Sequence, residues 1–348
     1  MANAPRIKKT TIVDIAKACG VSVTTVSRIL NDKPDVSAET RQRVLDYMRE
    51  NGFAPQSAWQ QLRSGKSHFI ALHFPQEFNP PSHEIITNAA QGCQDEGYSL
   101  NIIANTMSDI ELLSIFRSGQ VDGMILMEIL THDRRVELLK QNKFPFVMIG
   151  RCSDNTGLSY VDVDITKGIA DAIDHLVDLG HRHIGLITLS PVLQEKEYGY
   201  VTWALKGYKS ACQKHGLPDL SRAANLQPGD TESVVVNLLN EHPEITAIIT
   251  PQQQVVNGLL RAIQSKSLQI PEDISVIGLL HESISELITP PLTTIGFPSH
   301  EMGYEAAKLL IGQLNIGDGK PKHLLLRPEL YVRGSTGPVR AKKLLVDA

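Results

Sequence analysis

The chain has 348 residues, 42% hydrophobic and 21% charged, with a net charge of −4. This length exceeds a small head by enough for one large domain or two medium ones, and the composition suits an ordinary globular core. No apolar run approaches the ~20 residues of a membrane span and no apolar leader is evident, so the expectation is a cytoplasmic protein without a membrane partner.

The charge is unevenly placed. Residues 1–66 carry 11 Lys/Arg against 6 Asp/Glu, whereas residues 67–348 carry 23 against 32. A basic head on an acidic body confines attraction for phosphates to one end.

That head is organised around TIVDIAKACGVSVTTVSRILN (Thr11–Asn31). Thr11 and Asp14 form a capping-box pattern, and Ile12, Ile15 and Ala16 keep helical spacing on an apolar face. Gly20 permits a sharp turn, and Ser22 starts a second helix with Val26, Ile29 and Leu30 inward. Two short helices joined by such a turn are a helix-turn-helix, whose second helix enters the DNA major groove. The residues expected on the DNA side are Thr11, Ser22, Val23, Thr24, Thr25, Ser27, Arg28 and Asn31. Thr24 and Arg28 are expected to read base edges, while Lys8, Lys9 and Arg41 serve the phosphates. A third helix from Ser37 to about Asn51 is expected to close the core with Val44, Leu45 and Met48.

Next comes APQSAWQQLRSGK (54–66), where Pro55 stops the third helix and Ser64-Gly65-Lys66 forms an exit. Ser57–Leu62 supplies about two turns of helix, too short to be stable alone in water.

From Phe69 onward, apolar runs alternate with amphipathic helices. FIALHF (69–74), YSLNIIA (98–104), VDGMILM (121–127) and PFVMIG (145–150) read as buried parallel strands, with helices near 83–96, 109–118 and 132–142. After a crossover near Arg151–Gly157 the cycle restarts. Strands follow at 160–165, 183–188, 246–250 and 274–279, with helices near 167–179, 199–215, 231–241 and 253–265. TTIGF (293–297), a helix at 299–315 and HLLLRPELYVRGS (323–335) complete the pattern. Two doubly wound α/β units place a ligand between them, outside the carboxyl ends of the strands.

Cys19, Cys93, Cys152 and Cys212 are widely spaced and read as buried thiols rather than a disulfide or zinc set. His181 and His183 fit a helix C-terminus better than a metal site. No dinucleotide, Walker, nucleophile-elbow or zincin motif is present, so neither catalytic residue nor cofactor is expected. Asp162 and Asp164 alternate on one strand, facing either a cleft or a polar strand edge.

TIVDIAKACGVSVTTVSRILN, VSAETRQRVLDYMRENGF, HLVDLGHRHIGLI, IPEDISVIGL, TPPLTTI and RPELYVRGST together resemble the motifs of the LacI/GalR (lactose-repressor) family, in order and spacing, over about residues 10–336. The resemblance implies an all-α head followed by a periplasmic-binding-protein-like α/β body of two doubly wound parallel-sheet subdomains. It implies a head over 1–55, a hinge over 56–66 and a body over 67–340, with a tail at 341–348. One subdomain then spans about 67–157 and 293–321, the other about 158–292 and 322–340. It also implies a homodimeric repressor that binds a pseudo-palindromic operator and responds to a small molecule, with Leu62 as the hinge leucine that kinks the minor groove. Trp59 stands where the family usually has alanine. After Thr336 too little chain remains for a tetramerising coiled coil, so a dimer is expected.

In the cleft the sequence departs from the family pattern. Ala204 occupies the place of an arginine before Gly207-Tyr208, Gln252 and Gln253 replace an asparagine-aspartate pair, and Leu280 replaces an aspartate. Losing such charge-assisted bonds removes about 1.5–3 kcal/mol each, which disfavours a standard sugar effector held by an Arg/Asp clamp. Asn79, Ser82, Asp164, Trp203, Gln252, Gln253 and Phe297 are the expected effector set. What replaces the clamp is expected to be aromatic and neutral: Tyr198, Tyr200 and Trp203, with Gln252–Gln254 opposite and Phe297 nearby. Tyr208 reads as core. The alternative is the same head on a degenerate cleft that answers to a protein partner or acts constitutively. An α/β enzyme or transport-type binding protein with an added head is the third reading.

Overall fold

A computed structural model describes residues 11–30, 33–51, 66–74, 80–189, 197–225, 227, 229–316 and 320–339. They fall into two units, dividing after His68.

The head holds α1 (Ile12–Ala18), α2 (Val23–Leu30) and α3 (Ala38–Glu50). The capping box forms as read: the Asp14 amide donates to Thr11 Oγ1, and the Thr11 amide donates to Asp14 Oδ2 at 2.9 Å. Gly20 takes φ +64° in the turn, a left-handed conformation that glycine adopts without strain. Ile15, Ala16, Val26, Ile29, Val44 and Met48 are buried together. Leu45 is not; it stays 37% exposed, and Tyr47, on the opposite flank of the Val44–Met48 stripe, packs against the core. On α3, Val44 and Met48 are one helical repeat apart, and Leu45 lies about 100° around from Val44.

The body carries β1 (Phe69–His73), β2 (Ser99–Ile103), β3 (Gly123–Leu126), β4 (Phe146–Ile149), β5 (Tyr160–Val163), β6 (Ile184–Leu189), β7 (Leu220–Ala224), β8 (Ala247–Thr250), β9 (Ser275–Leu279), β10 (Thr293–Ile295), β11 (His323–Leu326) and β12 (Leu330–Tyr331). Its helices are α4 (Pro80–Asp95), α5 (Asp109–Arg117), α6 (Arg134–Gln141), α7 (Ile165–Asp178), α8 (Gly199–His215), α9 (Asp230–Glu241), α10 (Gln253–Ser265), α11 (Glu282–Ser285) and α12 (Ser299–Ile316). One sheet runs β11-β5-β4-β3-β1-β2 and the other β12-β10-β9-β8-β6-β7. Every pairing is parallel except β10 with β12.

The strands divide between lobes differently from the expected partition. β5 pairs with β4 through Met148↔Tyr160 and Ile149↔Val161, and β11 pairs with β5, so both belong to the first sheet. β10 pairs with β9 in the second. Arg151–Gly157 is therefore a loop within the first lobe, and the chain first changes lobe at Asp164. It returns at 296–298 and leaves again at 327–329. The crossings are tied together: the Asp164 amide donates to Leu326 O, and the Gly296 amide to Glu329 O, both at 2.7 Å. The apolar pattern could not reveal this, because a parallel strand buried on both faces looks alike in either sheet.

Two edge strands also differ from expectation. β2 was expected to be buried, yet Ile102 is 50% exposed, because β2 ends its sheet and pairs only with β1. β7, LSRAA, lacks an apolar run and was not anticipated; it is the half-exposed edge of the second sheet. The four cysteines are buried and free. Tyr208 is core, its hydroxyl donating to Ile184 O at 2.8 Å and accepting from the Leu220 amide at 2.9 Å. His181 is buried, with its ring nitrogens at 2.8 Å from Thr246 Oγ1 and 3.1 Å from Gly337 O.

Candidate functional site

On the head, Ser22 Oγ accepts from the Thr25 amide at 3.0 Å and lies 2.8 Å from the Thr25 hydroxyl, so it starts α2 as a cap. Val23, Thr24 and Arg28 are exposed beside each other on α2, while Thr25 and Ser27 are half-buried. Thr11 is exposed and engaged in the capping box. The Arg28 guanidinium rests 3.0 Å from Asp35 Oδ2. Such an exposed pair is worth little, about 0–1 kcal/mol, so it orients Arg28 without holding it back from a base. Nothing in the sequence marks Asp35 as the partner of Arg28. Asn31 and Leu62 lie outside the described residues.

In the body, a cavity of about 150 Å³ opens between the lobes. It lies at the carboxyl ends of the strands of both sheets: the segment after β3, the end of β4, β5, the start of α8, the segment after β8, and the ends of β9 and β10. Ser82, Gln252, Gln253 and Phe297 line it. Asp164 and Trp203 do not. Asp164 sits at the crossing, where its carboxylate accepts from the Lys167 amide at 3.0 Å and caps α7. Trp203 packs one turn into α8, with the Arg151 guanidinium 4.8 Å from its ring centroid. Asn79 lies outside the described residues.

Charged groups join Tyr200, Gln252, Gln253, Gln254 and Phe297 in the lining, whereas Tyr198 and Trp203 stay out of it. Arg151, Asp162 and Glu128 all face the cavity. Asp162 is 7% exposed; its Oδ1 accepts from the Val163 amide at 2.8 Å and its Oδ2 is 3.5 Å from Arg151 Nε. Of the two alternating aspartates, then, Asp162 faces the cleft. Burial pushes its carboxyl up to about 6 against the pull of Arg151.

Glu128 had no signal in the sequence beyond a carboxylate following an apolar strand. It adopts φ +54°, a conformation unusual for a side-chain-bearing residue. Arg135 clamps that turn, donating to Met127 O at 3.1 Å and Glu128 O at 2.9 Å while bonding Asp133 at 2.6 Å. On its other side Arg135 donates to His73 Nδ1, and His73 Nε2 donates to Asn105 O at 2.9 Å, which requires a neutral imidazole. Burial lowers the His73 pKa and favours that state. Burial pushes the Glu128 carboxyl up to about 7, with Arg135 opposing. Across the flanks of the cleft, the Gly199 amide donates to Ile129 O at 3.1 Å, and His281 Nε2 lies 2.9 Å from Glu84 Oε2.

A helix-turn-helix joined to a two-lobed body with a cleft at the strand ends defines a DNA-binding transcription regulator. Residues 11–56 match the model of the bacterial regulatory proteins of the lacI family, and residues 173–336 match the periplasmic binding protein-like domain. The chain is 30% identical over 344 residues to the HTH-type transcriptional regulator DegA of Bacillus subtilis (strain 168), covering 95% of this chain and 99% of that one. The structure superposes on the lac repressor dimer bound to operator and the anti-inducer ONPF with a TM-score of 0.82 at 24% identity, over 95% of this chain and 100% of the other. It also superposes on the transcriptional regulator CelR in complex with cellobiose, with a TM-score of 0.69 at 25% identity, over 94% and 100%. The chain belongs to the LacI family and is a sequence-specific DNA-binding regulator. These relatives are regulators, not enzymes. Among the described residues, no helix is long and apolar enough to cross a membrane.

Proposed function

We propose that this chain is a cytoplasmic, homodimeric repressor whose cleft binds a small effector and thereby changes operator affinity, with no catalytic role. The observation that carries the reading is the buried, unpartnered Gln252 side chain in the inter-lobe cavity. It is 3% exposed, and neither its Oε1 nor its Nε2 has a hydrogen-bond partner among the described residues. A buried amide left so costs about 1–3 kcal/mol per polar group, a cost a bound ligand removes. Lobes joined by crossing segments at Asp164, 296–298 and 327–329 allow a ligand to favour one cleft angle over another. A few kcal/mol of differential affinity then moves the operator-binding equilibrium. Residues 56–66 serve as the hinge, with Leu62 as the minor-groove wedge on a pseudo-palindromic operator.

Two measurements test this reading. A metabolite library scored by melting temperature and operator release yields at least one compound active in both; none active in either returns the degenerate cleft as the better reading. On the head, Arg28→Ala is expected to cost about 1–3 kcal/mol on the preferred site and to relax its sequence preference. An unchanged ratio of operator to random-DNA affinity would remove Arg28 from the base-reading set.

A further inference from the structure

The unpartnered atoms of the cavity specify more than the presence of a ligand. Glu128 Oε2, Gln252 Oε1 and Gln253 Oε1 are buried without partners among the described residues; the two amide oxygens accept hydrogen bonds, as does Glu128 once ionised, and Gln252 Nε2 donates. The vacant valences therefore call for a molecule rich in donors. The charges point the same way. Arg151, the cation in the lining, is already engaged by Asp162 at 3.5 Å and by the face of Trp203 at 4.8 Å. The other cation facing Glu128 is Arg135, whose charge is taken by Asp133 at 2.6 Å. The Tyr200 phenol, whose pKa Glu128 raises, offers Glu128 no positive charge. Glu128, half-buried as a residue, thus keeps a buried Oε2 whose opposing cation, Arg135, is already committed to Asp133. An anionic ligand would add negative charge beside Glu128 and Asp162, whereas a protonated nitrogen would supply the missing partner and form a charge-assisted hydrogen bond.

Size narrows the class. About 150 Å³ is the volume of an engineered protein cavity that admits benzene, so the cleft has room for one six-membered ring. The walls supply apolar contact from Ile85, Met127, Ile129 and Met302, with Phe297 at the end of β10. A ring with an apolar face and polar edges fits that lining.

We propose that the cleft takes a single-ring amine, with its protonated nitrogen against Glu128 and its hydroxyl or N–H groups on the Gln252 and Gln253 amides. The proposal rests on the effector-sensing reading above and names the ligand class for that site.

The test uses full-length protein and matched triples that differ in one group: glucosamine, glucose and glucuronate; then cyclohexylamine, cyclohexanol and cyclohexanecarboxylate. Binding is followed at pH 7.5 by calorimetry and by the shift in melting temperature. In at least one triple the amine is expected to bind tenfold or more tightly than both counterparts. Glu128→Gln is expected to erase that preference while leaving far-ultraviolet circular dichroism and non-specific DNA binding intact. The wild-type ranking within the triples stands without the variant. An amine that binds no better than its counterparts, or whose advantage survives Glu128→Gln, overturns the amine assignment. If the hydroxyl or carboxylate member is the one that binds and releases operator, the cleft remains a sensor and only the ligand class falls. If neither the triples nor the metabolite library yields any ligand, both readings fall together.

Discussion

Gly303→Ala is expected to disrupt the first lobe. A methyl group built at Gly303 falls 2.0 Å from Ile85 O and 2.9 Å from the Ala89 amide nitrogen, both backbone atoms of α4. A flexible side chain could swing aside, but a helix backbone cannot, so α4 and α12 must part. The approach is mutual: a methyl at Gly92 would meet Tyr304 O at 2.9 Å and Ala307 Cβ at 3.0 Å. Between these helices are buried Ala89, Cys93, Met302, Ala306 and Ala307. Overpacking usually costs about 1–3 kcal/mol when side chains adjust, and a backbone clash belongs at or above the top of that range. Gly312→Ala on the same helix is the control. Nothing lies within 4 Å of its added methyl, so helix propensity should make it neutral or stabilising by up to about 1 kcal/mol. Differential scanning calorimetry of the two variants separates packing from propensity. A Gly303→Ala protein that melts with wild type would show that the helices part freely.

The same glycine illustrates what was legible in the chain. The helix at 299–315 was readable from its apolar spacing, but the partner it touches was not, because close approach is a tertiary fact. The central strands were legible for a related reason. Runs such as FVMI and AIIT are buried along their full length, and little else reads that way. Edge strands carry no such mark: LSRAA in β7 buries only its ends. In the cleft, the family resemblance pointed to Gln252 and Gln253, which line the cavity. The resemblance pointed to Asp164 as well, yet its carboxylate is satisfied by the helix it caps. Alternation put Asp162 and Asp164 on one face, but β5 ends at Val163 and Asp164 caps the next helix, so Asp162 is the one that lines the cavity. Glu128 was invisible because it depends on a positive φ, which in turn depends on Arg135 reaching the carbonyls of Met127 and Glu128.

Glu128 also gives the body a stability that runs against the usual pH trend. Burial holds its carboxyl at about 7 in the folded chain, with Arg135 opposing, whereas an unfolded glutamate titrates near ~4.3. Between those values the folded state keeps a proton that the unfolded state has released. Stability therefore falls as pH rises through that window and levels off above it. Asp162, held at about 6 by burial against Arg151, adds a smaller contribution of the same sign. Asp133 works in the opposite direction: although burial pushes it up, Arg135 holds it below the usual range, so its stabilisation is lost at low pH. Absolute curves mix these signs, and the difference between Glu128→Gln and wild type isolates Glu128. The neutral amide carries no charge to bury, so the two proteins should be about equally stable near pH 4 and differ by only about 1 kcal/mol at pH 5. At pH 8 the variant should be the more stable by an amount on the order of 3 kcal/mol. Urea unfolding at half-unit steps between pH 5 and 8 measures that difference directly. A gap that stays constant across the range would mean that Glu128 ionises alike in the folded and unfolded chain. A gap that opens between pH 5 and 7 would mark it as the carboxyl that waits for a counter-charge.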